Sequence, residues 1–123
     1  MPKKILVIED DPLIRKSVEL FLCAEGYEVH EASDRDEALG LLDKFRFDLV
    51  LSDVHSPRLE GIDLLSHVRS TSPAVPLIIM TVNYYAKLSA TSDRGVVCIS
   101  KPLSFADLRS KIRELIQADV VLG

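Results

Sequence analysis

Five residues of this chain could do chemistry together: the adjacent acids Glu9 and Asp10, a third acid Asp53, the hydroxyl of Thr81 and the ammonium of Lys101. Each stands at the carboxyl end of a short apolar run, the two first acids sharing the run at 3–8 and the others following runs at 49–52, 77–80 and 96–99. Carboxylates gathered in one place repel one another unless a cation sits among them. Hard oxygen donors with no accompanying Cys or His set point to Mg²⁺, which binds through one or two carboxylates, keeps several waters and leaves room for a phosphate. A hydroxyl and a lysine on the opposite side supply what the remaining oxygens of a phosphoryl group require. The chemistry this set could do is phosphoryl transfer. The acceptor is one of its own carboxylates, since no Ser, Cys or His with a base partner is visible and aspartyl phosphate is a known covalent product.

The five meet only if their runs are strands pointing the same way. The run ending at Asp53 is rich in Val and Leu and bounded by turn residues, which reads as a strand buried on both faces of a parallel sheet. Residues 77–81 are the most apolar and read the same way, delivering Thr81 to the edge that carries Asp53. Residues 28–32 are more polar, as an edge strand would be, and Val96-Val97-Cys98-Ile99 is the last strand. Helices alternate with the strands. Asp11 can cap the first, with Pro12 at its first turn, Ile14, Val18, Phe21 and Leu22 on one face, and Gly26 to end it. Ser33 or Asp34 can cap the second, whose stripe is Ala38, Leu41, Leu42 and Phe45. A third has Ile62, Leu65 and Val68 facing inward, and a short fourth falls within 83–94, where Tyr84, Tyr85 and Leu88 share a helical spacing. Ser104 with Asp107 resembles a capping box for a last helix whose core side is Phe105, Leu108, Ile112 and Leu115. Five strand-helix alternations imply a parallel α/β sheet covered on both faces, with ligands bound beyond the strand ends.

Length and composition set the outer limits. With 123 residues, 47% of them hydrophobic and 28% charged, the chain fits one globular domain with a core that needs no disulfide or metal staple. The net charge of −4 weighs against direct contact with nucleic acid, which would need another chain or segment. The basic start at Lys3-Lys4 is followed by an apolar run too short for a signal peptide, and no run approaches membrane-spanning length. Cys23 and Cys98 have no metal-type spacing and read as free, buried thiols in a reducing cytoplasm. Taken singly, each site residue has an ordinary reading: Asp53 as a turn residue, Glu9 and Asp10 as solvated acids, Thr81 as a helix cap, Lys101 as a lysine before a proline. His30 and His67 read as surface residues, and the His55 imidazole has no other histidine at ligand spacing. It is the combination at strand ends that indicates a site.

That combination has a familiar order. Ile8-Glu9-Asp10-Asp11, Asp53 followed by Pro57 and Gly61, Thr81, and Lys101-Pro102 together resemble the receiver domain of two-component response regulators, over essentially the whole chain. The resemblance implies a single receiver domain across 1–123 with a three-layer, flavodoxin-like (βα)5 fold and a five-stranded parallel sheet of order 2-1-3-4-5. It implies a cytoplasmic signalling module, not an enzyme, that takes a phosphoryl group from a sensor histidine kinase or phosphotransfer protein and then changes its hold on an output partner or effector domain. Asp53 is then the phosphoacceptor. Mg²⁺ is held by Asp10 and Asp53, by the backbone carbonyl of His55, and by Glu9 through water. Thr81 bonds a phosphoryl oxygen after transfer, and Lys101 pairs with the phosphoryl group or with Asp53.

This sequence departs from the family pattern in places. His55-Ser56 precedes Pro57 where a methionine is common, Val82 follows Thr81 where a small residue is common, and Cys98 replaces an aromatic residue whose inward swing accompanies activation. A weaker or differently transmitted switch is expected. Two alternatives stay open: a degenerate receiver that binds partners without phosphorylation, and a small Mg²⁺-dependent phosphohydrolase. Against the second, such enzymes carry an Asp-x-Asp pattern at the first strand, whereas Asp53 is followed by Val54 and His55.

Overall fold

Strands built from Val, Ile and Leu on both faces must be covered on both faces, and the sheet satisfies this. The structure, a computed structural model, describes residues 2–53, 68–70, 74–81, 96–100 and 104–116, and elements are numbered among these. Five strands, β1 (Lys4–Ile8), β2 (Glu28–Ala32), β3 (Leu49–Asp53), β4 (Leu77–Thr81) and β5 (Val96–Ser100), form one sheet. Its order is β2-β1-β3-β4-β5 and every neighbouring pair is parallel, the arrangement expected of the flavodoxin-like fold. The polar second run is indeed an edge strand.

Alternation along the strands sorts the core into two layers. Ile5, Val7, Leu49, Leu51, Ile78 and Met80 pack with Val18 and Leu22 of helix α1 (Pro12–Ala24) and with Leu108, Ile112 and Ile116 of helix α3 (Phe105–Ile116). Leu6, Ile8, Val50 and Leu77 pack on the other face with Ala38 of helix α2 (Arg35–Lys44) and with Val68. Val68 belongs to the helical residues 68–70. Ile62, Leu65 and the segment 83–94 with Tyr84, Tyr85 and Leu88 lie outside the described residues. Among the described residues no helix is long and apolar enough to cross a membrane.

Local chemistry explains where the helices start and stop. The Asp11 carboxylate accepts the amides of Leu13 and Ile14, and Pro12 follows as the first helical residue, where its missing N–H costs nothing. At the other end Gly26 takes φ +95°, its amide bonds the Cys23 carbonyl at 3.0 Å, and the Tyr27 amide bonds that of Leu22 at 3.1 Å. This is the paired closure of a left-handed helix cap, with the buried Leu22 and Tyr27 side chains in the same cluster. Of the two candidate caps of α2 Asp34 is the one used: it accepts the Glu37 amide at 2.9 Å, while the Glu37 carboxylate accepts the Ser33 amide and hydroxyl. Ser104 accepts the Asp107 amide at 3.2 Å at the start of α3.

Four expectations are corrected. Cys23 is exposed while Cys98 is buried, because Cys23 lies one helical step past the inward-facing Leu22 and is turned away from the sheet. Phe45 does not extend the stripe of α2: it is the extended C-cap residue at φ −128°, and its ring packs tilted against that of His30 at 4.5 Å. His30, also flanked by Phe47 at 5.6 Å and bonded to Glu28 at 2.8 Å, is therefore half-buried rather than a bare surface residue. On α3 the inward row is Leu108, Ile112 and Ile116, a strict four-residue repeat, which leaves Phe105 39% exposed in the first turn. Phe105 instead stacks flat on Phe21 of α1 at 4.6 Å.

Charge completes that helix pair. Glu25, the C-cap residue of α1, accepts Arg109 Nε at 2.7 Å and Nη2 at 3.3 Å, with Arg113 3.6 Å away. The Arg109 guanidinium holds the Glu25 carboxyl below its ordinary value. A depressed native value means the unfolded chain binds more protons in the acid range, so this contribution is present above the ordinary carboxylate value of about 4.3 and is lost below it. The stability gap between wild type and Glu25→Gln is therefore expected to close as pH falls below about 4.3, read as urea midpoints across the acid range; a gap constant down to pH 3 would show that the ion pair contributes nothing. Gly26→Ala meets no atom within 4 Å, so its cost is backbone strain alone, about 1–2 kcal/mol. An unchanged denaturation midpoint would contradict this.

Candidate functional site

The site begins with register. Ile8 of β1 pairs with Ser52 of β3, so the next residues, Glu9 and Asp53, leave the two strands side by side. Asp53 in turn pairs with Met80 of β4, which puts Thr81 one residue further along the same rim. The strand ends thus converge as a parallel sheet requires.

Three of the expected residues come together in detail. Ligand oxygens of Glu9, Asp10 and Asp53 all lie within 4.8 Å of one another. Glu9 is fully buried and Asp53 is 5% exposed, while Asp10 is half-buried. Carboxylates placed this close, two of them nearly out of water, carry a repulsion that water screens only in part. The donors are all carboxylate oxygens with no Cys or His among them, which fits a hard divalent ion such as Mg²⁺ and does not fit zinc.

The surrounding chain holds these groups in place. The Glu9 amide donates to the Ala32 carbonyl of β2 at 3.0 Å, and the Glu9 carboxylate accepts the Asp11 amide at 3.1 Å. The Ser52 hydroxyl donates to the Asp53 carbonyl at 3.2 Å. Helix α1 starts at Pro12, so its first turn, with the positive end of its dipole, abuts the acidic turn.

Arg15 escaped the reading of the sequence. Its Nη1 donates to the Glu9 carbonyl at 2.8 Å and its Nε lies 3.4 Å from Glu31 of β2. Burial, with the Glu19 carboxylate beside it, pushes the Glu31 carboxyl up. Lys16, hydrogen-bonded to Glu19 at 2.6 Å, holds the Glu19 carboxyl down. The only sequence signal for Arg15 was a basic residue one turn into a helix that follows three acids, and such residues are usually solvated.

Of the remaining expected residues, Thr81 is at the end of β4, where its backbone pairs with Ser100. His55, Val82 and Lys101 lie outside the described residues. Cys98 is buried in β5 opposite Ile79, as a small strand hydrophobe would be.

Comparison with known proteins agrees with this geometry. The profile of the response regulator receiver domain matches residues 5–113. Response regulator MprA of Mycolicibacterium vanbaalenii is 34% identical over 119 residues, which is 95% of this chain and 52% of that protein. Transcriptional regulatory protein PdtaR of Mycobacterium tuberculosis is 38% identical over 111 residues, 88% of this chain and 54% of that protein. The chain spans about half the length of the curated relatives it matches. Among solved structures, a CheY-like response regulator receiver domain protein from Methanospirillum hungatei matches with a TM-score of 0.88 at 30% identity, covering 100% of both chains. The chemotaxis response regulator CheY4 of Vibrio cholerae matches with a TM-score of 0.84 at 28% identity, over 94% of this chain and 99% of that one. With a match over most of its length and a parallel sheet that carries three acids to one rim, this chain belongs to the family of response regulator receiver domains.

Proposed function

We propose that this chain is one receiver domain over residues 1–123, acting in the cytoplasm as a phosphoacceptor module that takes a phosphoryl group onto Asp53 from a sensor histidine kinase or a phosphotransfer protein. The observation that carries the proposal is the cluster of buried Glu9 and Asp53 with half-buried Asp10, their ligand oxygens within 4.8 Å of one another. Close placement of carboxylates is costly where water is largely excluded, and functional sites are where such groups gather.

Asp10 and Asp53 with their carboxylates, His55 with its backbone carbonyl, and Glu9 through water are the groups that would hold Mg²⁺. When bound, the ion supplies positive charge that offsets the negative charge gathered on the carboxylates and on the oxygens of a transferring phosphoryl group. The protein's own part is nucleophilic. An Asp53 oxygen attacks phosphorus, the bond from phosphorus to the donor imidazole nitrogen breaks, and its electron pair stays with that nitrogen. Thr81 would donate its hydroxyl to a phosphoryl oxygen, and Lys101 would pair with the phosphoryl group or with Asp53. Differential contact of Thr81 and Lys101 with the phosphoryl group would then shift the domain between two conformations and change its affinity for an output partner or effector domain. The net charge of −4 supports a protein partner rather than nucleic acid for this domain.

Incubation with a small acyl phosphate and Mg²⁺ is expected to add one phosphoryl group to the intact mass of the wild type, and none to Asp53→Asn. An adduct that persists in Asp53→Asn would sink the assignment of the acceptor. Because the three carboxylates repel, Asp10→Asn in metal-free buffer is expected to be more stable than wild type by on the order of 1 kcal/mol, and to gain less melting temperature from Mg²⁺. Calorimetric melts with and without the ion check this, and equal gains in both proteins would remove Asp10 from the ligand set.

A further inference from the structure

Among the described residues the first acid of the cluster is held through its amide, its carboxylate and its carbonyl. Its amide is fixed by Ala32 of β2, its carboxylate by the amide of Asp11, and its carbonyl by Arg15. The first two are what a chain leaving a sheet for a helix commonly makes. The third joins three elements. Arg15 sits in the first turns of α1, its own amide bonded to the Asp11 carbonyl at 2.9 Å. Its guanidinium then reaches both the Glu9 carbonyl at 2.8 Å and the Glu31 carboxylate of β2 at 3.4 Å.

Peptide planarity gives this contact its leverage. The atoms from the Glu9 Cα to the Asp10 Cα lie in one plane, so the direction of the Glu9 carbonyl dictates where the Asp10 Cα stands. A guanidinium is a rigid fork whose N–H directions are set together, so anchoring one edge on Glu31 aims the other at the carbonyl. Without it, the Glu9–Asp10 peptide could turn and let the carboxylates separate, relieving their repulsion at the expense of the ion site.

We propose that Arg15 is a positioning residue of the acidic cluster: by tying the Glu9 carbonyl to Glu31 of β2 it sets the Glu9–Asp10 peptide plane and holds Asp10 within ligand distance of Glu9 and Asp53. The inference rests on the metal-site reading above and extends it to a residue that touches neither the ion nor the reacting atoms. Groups one step behind a metal ligand usually change metal affinity by about 10–100-fold when removed.

The test compares wild type, Arg15→Ala, Arg15→Lys and Arg109→Ala. The last loses the ion pair with Glu25 on the far side of α1 and controls for lost stability without approaching the site. Two quantities are read: Mg²⁺ affinity by titration calorimetry, and amide hydrogen exchange of Asp11 without metal, whose N–H bonds the Glu9 carboxylate. Arg15→Ala is expected to bind Mg²⁺ about tenfold more weakly and to exchange the Asp11 amide faster. Arg15→Lys, which keeps the charge and one donor, is expected to recover part of both, and Arg109→Ala to match wild type in both. Mg²⁺ affinity in Arg15→Ala within twofold of wild type would overturn the inference and leave the metal reading standing. So would an equal loss in Arg109→Ala, or no recovery in Arg15→Lys, which would assign the effect to stability or packing. If wild type itself shows no Mg²⁺ affinity, the metal reading falls, and the Asp11 amide decides the inference alone: unchanged exchange in Arg15→Ala overturns it, faster exchange upholds it.

Discussion

Repulsion among three carboxylates is the constraint around which this domain is arranged. Glu9 and Asp53 are almost wholly withdrawn from water and Asp10 is partly so, yet their oxygens lie within 4.8 Å of one another. Several features among the described residues make that placement tolerable. The sheet register brings Glu9 and Asp53 out of adjacent strands, the Asp11 amide takes one carboxylate, and the first turn of α1 faces the cluster with its positive end. A divalent cation would complete the balance of charge, and a phosphoryl group would be a natural ligand of that cation.

A site of this kind needs a stiff frame, because a repulsive cluster pulls apart whatever holds it loosely. The frame here is the parallel sheet, with β1 and β3 buried between two apolar layers. The layer shared by α1 and α3 is reinforced at its rim by the Phe21 and Phe105 stack and by Glu25 with Arg109 and Arg113. These contacts anchor the carboxyl-terminal half of α1, leaving its amino-terminal turn in register with the acids. The paired closure at Gly26 then returns the chain into β2, the strand that supplies both the Ala32 carbonyl and Glu31 to the site.

Membership of the receiver family accounts for the sheet order and for the acids, but this chain adds its own details. Cys98 packs as a small group in β5, where the family pattern has a bulky aromatic residue. A thiol cannot make the large rotamer excursion of a ring. The half-buried His30, held between Phe45, Phe47 and Glu28, closes the outer edge of β2 with aromatic surface rather than with charge alone.

Patterning by itself determined the strands, their common direction and the rim on which the chemistry lies, because buried parallel strands read as unbroken apolar runs and their carboxyl ends are marked by the first polar residue. Caps at Asp11, Asp34 and Ser104 were equally legible, since a cap is a local hydrogen bond between near neighbours. What only the tertiary structure decided is which side chains meet across elements. Phe45 and Phe105 look like stripe residues by spacing, but each sits at a helix end and finds an aromatic partner elsewhere. Cys23 was called inward by composition and turned outward by one helical step. Arg15 is the clearest case: its partners are a backbone carbonyl and a carboxylate on another strand, and no periodicity records a bond whose geometry exists only after β1, β2 and α1 have packed.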